Sequence, residues 1–326
     1  MRQPRIKAPT ATGDSIYHCV SRTVNGAFLF DDLAKETLRK HLRQVADFCG
    51  VQILTYAILS NHFHVLVRIP RSTPISDDEL LRRYKVLHPS PTRHQQATLA
   101  TAEAWLRSGA PEGAAWRQRQ LALMGDVSAF MKLLKQRFSI WFNHAHGRYG
   151  TLWSERFKSV LIESRDRVVE IVAAYIDLNA VRAGLVSDPK DYRFCGYGEA
   201  VAGGKLAQAG LRHALGSLSW QTAQADYRQT LYGVGSAPRD GAASLSLADL
   251  EKVVRARGRL APSAVLRCRI RHFSDGAVLG ARAFVARHLR GLGGRRADKP
   301  PRDLPDLVDW GTELATLHGL RRRGTT

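Results

Sequence analysis

Residues 51–69 read VQILTYAILSNHFHVLVRI, two β-rich runs parted by Ser60 and Asn61. The separation suits a hairpin or a bend in one path, and the branched and aromatic residues favour extended chain. Within HFHVLV, strand alternation sends His62 and His64 to one face and Phe63 and Val65 to the other. Two imidazoles on one strand face can chelate one metal ion. Alone, however, the H-x-H pattern is common and more often marks two polar residues on a wet strand face.

Working outward, residues 14–22 (DSIYHCVSR) predict another strand, and residues 31–49 carry leucines and a valine at helical spacing before Gly50. The order strand, helix, strand, strand predicts an α+β sheet layer. Residues 70–125 are polar, with Pro74, Pro89, Pro91 and Pro111, and read as a helical or partly mobile insertion. A helix with one apolar stripe follows at 126–146, then a strand at 156–162 (RFKSVLI) and a strongly patterned helix at 166–182, closed by Gly184. Beyond Tyr197 the pattern weakens into a Gly/Ala stretch and short helical pieces at about 201–243, with a linker near 237–243. A basic, mostly helical C-terminal region at 244–326 follows, with a helical pattern at 246–257 and a Gly-, Arg- and Pro-rich tail expected to be partly disordered.

The helix at 166–182 adds chemistry. Tyr175 and Asn179 stand four residues apart and project from one face, so a hydroxyl nucleophile and an amide oxygen can reach one place. A tyrosine among Val168, Val169, Ile171, Val172 and Ile176 fits a core position equally well, and spacing alone leaves both readings open.

Charge narrows the partners. Lys and Arg total 49 against 29 acidic residues, a formal net charge of +20, which favours a polyanion such as nucleic acid. The basic residues are spread along the chain and not gathered in one amphipathic helix, which argues against a membrane surface. The first 14 residues are basic and polar, and no apolar run reaches the roughly 18 residues of a membrane span, so a cytoplasmic protein is expected. Cys19, Cys49, Cys195 and Cys268 are far apart and form no C-x-x-C pair, which leaves no zinc-finger or disulfide framework.

Taken together, YHCVSR (17–22), LSNHFHVLV (59–67), GTLWSERFKS (150–159), YIDLNAVRAGLV (175–186) and DYRFCGY (191–197) resemble the single-tyrosine HUH transposases, in particular the REP-associated tyrosine transposases. The resemblance spans about 14–200 and implies a catalytic domain at 1–200 with an antiparallel sheet carrying helices on its faces, an HUH or ferredoxin-like core. It implies that His62, His64 and Asn179 bind Mg2+ or Mn2+ and that Tyr175 is the nucleophile. The implied activity is a single-stranded DNA endonuclease and strand transferase that binds hairpin DNA and works through a 5′-phosphotyrosine intermediate. Such enzymes include homodimers and monomers. Two departures stand out: Ala180 replaces the usual proline after the helix asparagine, and the insertion at about 71–125 is long.

Arg156 and Lys158, read at alternate strand positions, are candidates for holding the DNA backbone, with Arg22 and Arg182 beside them. Trp153 is either a base-stacking residue or a core residue. The alternative of a non-cleaving DNA-binding protein is opposed by the intact set of His62, His64, Tyr175 and Asn179. An RNA-binding sheet would want aromatic residues where the histidines stand.

Overall fold

The computed structural model describes residues 6–8, 13–232, 262–266, 272–290, 300–304, 308 and 310–317. The helical pattern at 246–257, the linker near 237–243 and Cys268 lie outside the described residues.

The hairpin at 51–69 forms as β2 (Gln52–Ile58) and β3 (His62–Ile69), antiparallel, and β1 (Ser15–Arg22) pairs with the other side of β3. β1 then pairs with β4 (Lys158–Ile162). The α+β class is as expected, with helices on both sheet faces. The helical C-terminal part also contributes three short strands, β5 (Val278–Gly280), β6 (Arg302–Asp303) and β7 (Ala315–Thr316), giving a seven-stranded order β2-β3-β1-β4-β5-β7-β6. All pairs are antiparallel except β4 with β5. Strands this short carry too little alternation to be read from sequence. They form because β4 offers an edge and Val278, Leu279 and Ala315 are fully buried there.

One face of the sheet is covered by α1 (Asp32–Cys49) and α5 (Val127–Ala145), which pack on each other. Asp31 caps α1 by accepting from the Ala34 N–H, and Gly50 ends it in the left-handed conformation, φ 66°. Asp126 caps α5 through the N–H groups of Ser128 and Ala129. Phe63, on the face of β3 turned away from the histidines, joins Phe30, Phe138 and Trp153 in an edge-to-face aromatic core, with Phe63 and Trp153 ring centroids 5.7 Å apart.

The insertion is three helices, α2 (Asp77–Val86), α3 (Arg93–Ser108) and α4 (Pro111–Leu121), around a small core of their own made by Leu80, Leu81, Ala102 and Trp116. Its sequence is polar because that core is narrow. A capping box between Thr92 and Gln95 starts α3, and Pro111 starts α4.

The other face carries α6 (Asp166–Asp177), α9 (Lys205–Ala214) and α10 (Trp220–Tyr232). Buried Asp177 fastens α6 to its neighbours: its carboxylate accepts from Thr55 Oγ1 on β2 at 2.8 Å, from the Tyr197 N–H and from Tyr227 Oη on α10. α9 approaches β2 at Gly210, where a Cβ would lie 2.3 Å from the Ile53 carbonyl oxygen. The register shift between Ile53 and Thr55 lies at the same point of β2. The predicted helix at 166–182 breaks at Leu178 (φ −74°, ψ 1°) into α6 and α7 (Asn179–Arg182), and α8 (Gly196–Val201) follows. Three further helices are α11 (Pro262–Leu266), α12 (His272–Asp275) and α13 (Arg282–Arg290).

Candidate active site

The β1–β3 register sets Arg22 opposite His62 and Val20 opposite His64. Alternation therefore puts His18, Val20 and Arg22 on the same sheet face as His62 and His64. α6 lies across that face and delivers Tyr175. Ring centroids are 5.2 Å apart for His62 and His64, and 6.2 Å for His64 and Tyr175. His62, His64, Tyr175 and Asn179 line one cavity of about 440 Å³, together with Arg22, Arg156, Lys158, Arg182 and Ser274.

The donor set fits a divalent ion. Asn179 turns its amide nitrogen inward, donating to the carbonyls of Ile176 at 3.0 Å and Tyr175 at 3.3 Å, so Oδ1 is the atom it presents to the cavity. His62 Nδ1 is 2.6 Å from Asn61 Oδ1, and His64 Nδ1 is 2.8 Å from His18 Nε2. Each histidine thus uses Nδ1 in the protein and has Nε2 as its candidate ligand atom, the usual division of an imidazole between metal and supporting shell. Burial, with His18 and His62 nearby, pushes His64 well below the usual imidazole range, and burial brings His18 down to about 4. Both rings stay neutral at ordinary pH, the form that ligates a metal. No group of three or more His, Cys, Asp or Glu side chains suited to a metal occurs among the described residues. A third protein ligand would have to be of another type, and Asn179 is placed to offer one.

Residues 11–107 match the family described as transposase, IS200-like. Over this stretch the likeness to transposases read from the motifs is borne out. The IS200-like match takes in β1, β2 and β3, hence His18, Arg22, His62 and His64, and stops before Tyr175 and Asn179. A solved REP-associated tyrosine transposase bound to a REP hairpin is similar at 16% identity and a TM-score of 0.38, covering 63% of this chain and 87% of that one. No curated protein matches the chain significantly. No helix among the described residues is long and apolar enough to cross a membrane.

Beyond the matched stretch, two of the expected DNA-contacting residues have other tasks. Trp153 is 9% exposed, sits among Phe30, Phe63 and Phe138, and donates its indole N–H to the Lys135 carbonyl. It is a core residue, because the Thr23–Trp153 bridge turns it to the α5 side. Arg182 reaches the cavity, yet its guanidinium donates to the carbonyls of Tyr175 at 2.6 Å and Leu266 at 2.7 Å, and lies 4.2 Å from the Tyr175 ring centroid. Arg156 precedes β4, and does not alternate with Lys158 along a strand, since residues 154–156 bend between the Thr23–Trp153 bridge and the start of β4. Both still line the cavity, as does exposed Arg22.

His18 and Phe273 went unread in the sequence. His18 is fully buried beside His64, and its Nδ1 donates to the Phe273 carbonyl at 2.6 Å, while the Phe273 ring packs 5.1 Å from Tyr175. Strand parity with Arg22 would have placed His18 on the site face. Nothing local to Phe273 would have.

Proposed function

We propose that this chain is a DNA transposase that nicks and rejoins single-stranded, hairpin-containing DNA through Tyr175. The observation that carries this reading is the convergence of Tyr175, His62, His64 and Asn179 on one cavity with Arg22, Arg156 and Lys158 at its margin. The likeness to IS200-like transposases supports it.

His62, His64 and Asn179 would hold the metal ion. When bound, Mg2+ or Mn2+ would supply Lewis-acid polarisation of the scissile phosphate and charge stabilisation at the departing oxygen. Arg22, Arg156 and Lys158 would hold the flanking phosphodiesters, where charge positions the strand without reading its sequence. Arg182 keeps Tyr175 in place. The Tyr175 hydroxyl, which has no hydrogen-bond partner among the described residues, attacks phosphorus in line and loses its proton. The O3′–P bond breaks, the 3′ oxygen takes up a proton, and a 5′-phosphotyrosine bond forms. Attack by another 3′-hydroxyl on that bond restores the phosphodiester and frees Tyr175, so no nucleotide cofactor is needed.

A second reading, DNA binding without cleavage, draws on the burial of Tyr175, which is 3% exposed beneath Phe273 and Arg182. One experiment separates the two. Purified chain with Mn2+ and a labelled hairpin oligonucleotide should give a covalent adduct on a denaturing gel, and Tyr175→Phe should abolish the adduct while binding the same oligonucleotide within about twofold of wild type. Tight binding without an adduct from any hairpin drawn from the surrounding DNA would leave the binding protein as the answer.

A further inference from the structure

We infer that His18 is a positioning residue that fixes the proton of His64 on Nδ1, and that the peptide carbonyl of Phe273 fixes His18 in turn. This rests on the reading of His64 as a metal ligand.

A carbonyl oxygen can only accept, so the 2.6 Å contact puts a proton on His18 Nδ1. An uncharged imidazole has one N–H. With His18 fully enclosed, its Nε2 is therefore an acceptor, and that atom faces His64 Nδ1 at 2.8 Å. Two lone pairs at this distance would repel. His64 Nδ1 must carry the proton, and His64 Nε2 is left with the lone pair that a metal needs. The opposite tautomer of His64 would point an N–H into the cavity and bind no cation. The ring planes lie 24° from parallel with centroids 5.0 Å apart, the nearly coplanar, edge-to-edge placement that an N–H···N bond between two imidazoles requires.

The relay begins far away in sequence. Phe273 belongs to α12, which packs on β1 and β4. Its neighbour Ser274 lines the cavity, and Leu266 of α11 accepts from the arginine that holds Tyr175. The C-terminal region therefore supplies the first member of the proton order at the site, although the IS200-like match ends at residue 107.

Three full-length variants and the wild type test the relay. His18→Leu removes the acceptor, and His18→Gln can offer Oε1 in its place. His64→Ala removes the candidate ligand. Mn2+ binding to the DNA-free protein, followed by calorimetry, should weaken by about 10- to 100-fold in His18→Leu and stay within a few-fold of wild type in His18→Gln. Nitrogen-15 NMR of the metal-free wild type should find His64 protonated at Nδ1, a result that needs no variant to fold. A proton on Nε2 of His64 would overturn the relay, as would His18→Leu binding Mn2+ like wild type or His18→Gln binding no better than His18→Leu. If His64→Ala itself binds Mn2+ normally, the metal assignment in the proposed function fails; if it loses Mn2+ while His18→Leu does not, only the relay fails.

Discussion

Arg182 shows how much one side chain can hold at a helix break. The turn at Leu178 brings the Tyr175 carbonyl within reach of its guanidinium, and the same guanidinium reaches Leu266 and covers the tyrosine ring. Replacing it with alanine removes a donor from two carbonyls; Tyr175's keeps Asn179 Nδ2, while loss of the bond to Leu266 costs about 1–3 kcal/mol where water cannot substitute. Arg182→Ala should therefore lower the free energy of unfolding by about 2 kcal/mol, read from urea denaturation, and should lower the rate of adduct formation more than it weakens DNA binding. Equal losses in both would return Arg182 to the role of a DNA contact. At this scale much of the site was legible. Two histidines on alternate strand positions and two residues a helical turn apart follow from local geometry alone. Trp153 could not be decided, because whether an aromatic residue stacks on a base or fills a core depends on the bridge to Thr23, which spacing does not reveal.

Helices α1 and α5 meet around His41, whose ring lies edge-on to Phe138 at 6.3 Å between centroids. Burial, with Arg137 of α5 nearby, brings His41 down to about 4. The folded state thus takes up a proton less readily than the unfolded chain, for which the value is near 6.5. The contribution of neutral His41 is full above about 6.5 and is lost as pH falls toward 4. Partial solvent access screens the effect, leaving about 1–2 kcal/mol across that window. Urea unfolding at several pH values should give a stability difference between wild type and His41→Gln that shrinks on acidification. A difference that stays flat from pH 7 to 4 would refute this account. The long helices were legible because capping residues and glycine stops bound a 3.6-residue pattern, as Asp31, Asp126 and Gly50 do. The break at Leu178 and the three short C-terminal strands were not, since each depends on partners distant in sequence.

Across the whole molecule, a formal charge of +20 sets the expected dependence on salt. If Arg22, Arg156 and Lys158 each neutralise a phosphate, the logarithm of the association constant for single-stranded DNA should fall linearly with the logarithm of salt concentration. Each substitution by alanine should flatten that slope by about 0.7. Fluorescence anisotropy titrations at four salt concentrations would measure it, and unchanged slopes in all three variants would move the DNA path elsewhere. Net charge pointed to this class of partner from composition alone, while the route across the surface required the fold.

The parallel pairing of β4 with β5 joins residues 161–162 to 278–279, and α12 seats Phe273 against β1. Ribosomes release a chain from its N-terminus onward, so Tyr175 and both histidines emerge long before the segment that completes their surroundings. Under the proposed function, a nuclease assembled in this order would stay disarmed while it is being made, and a message cut short before codon 273 would yield a protein that keeps its cavity arginines yet lacks a finished centre.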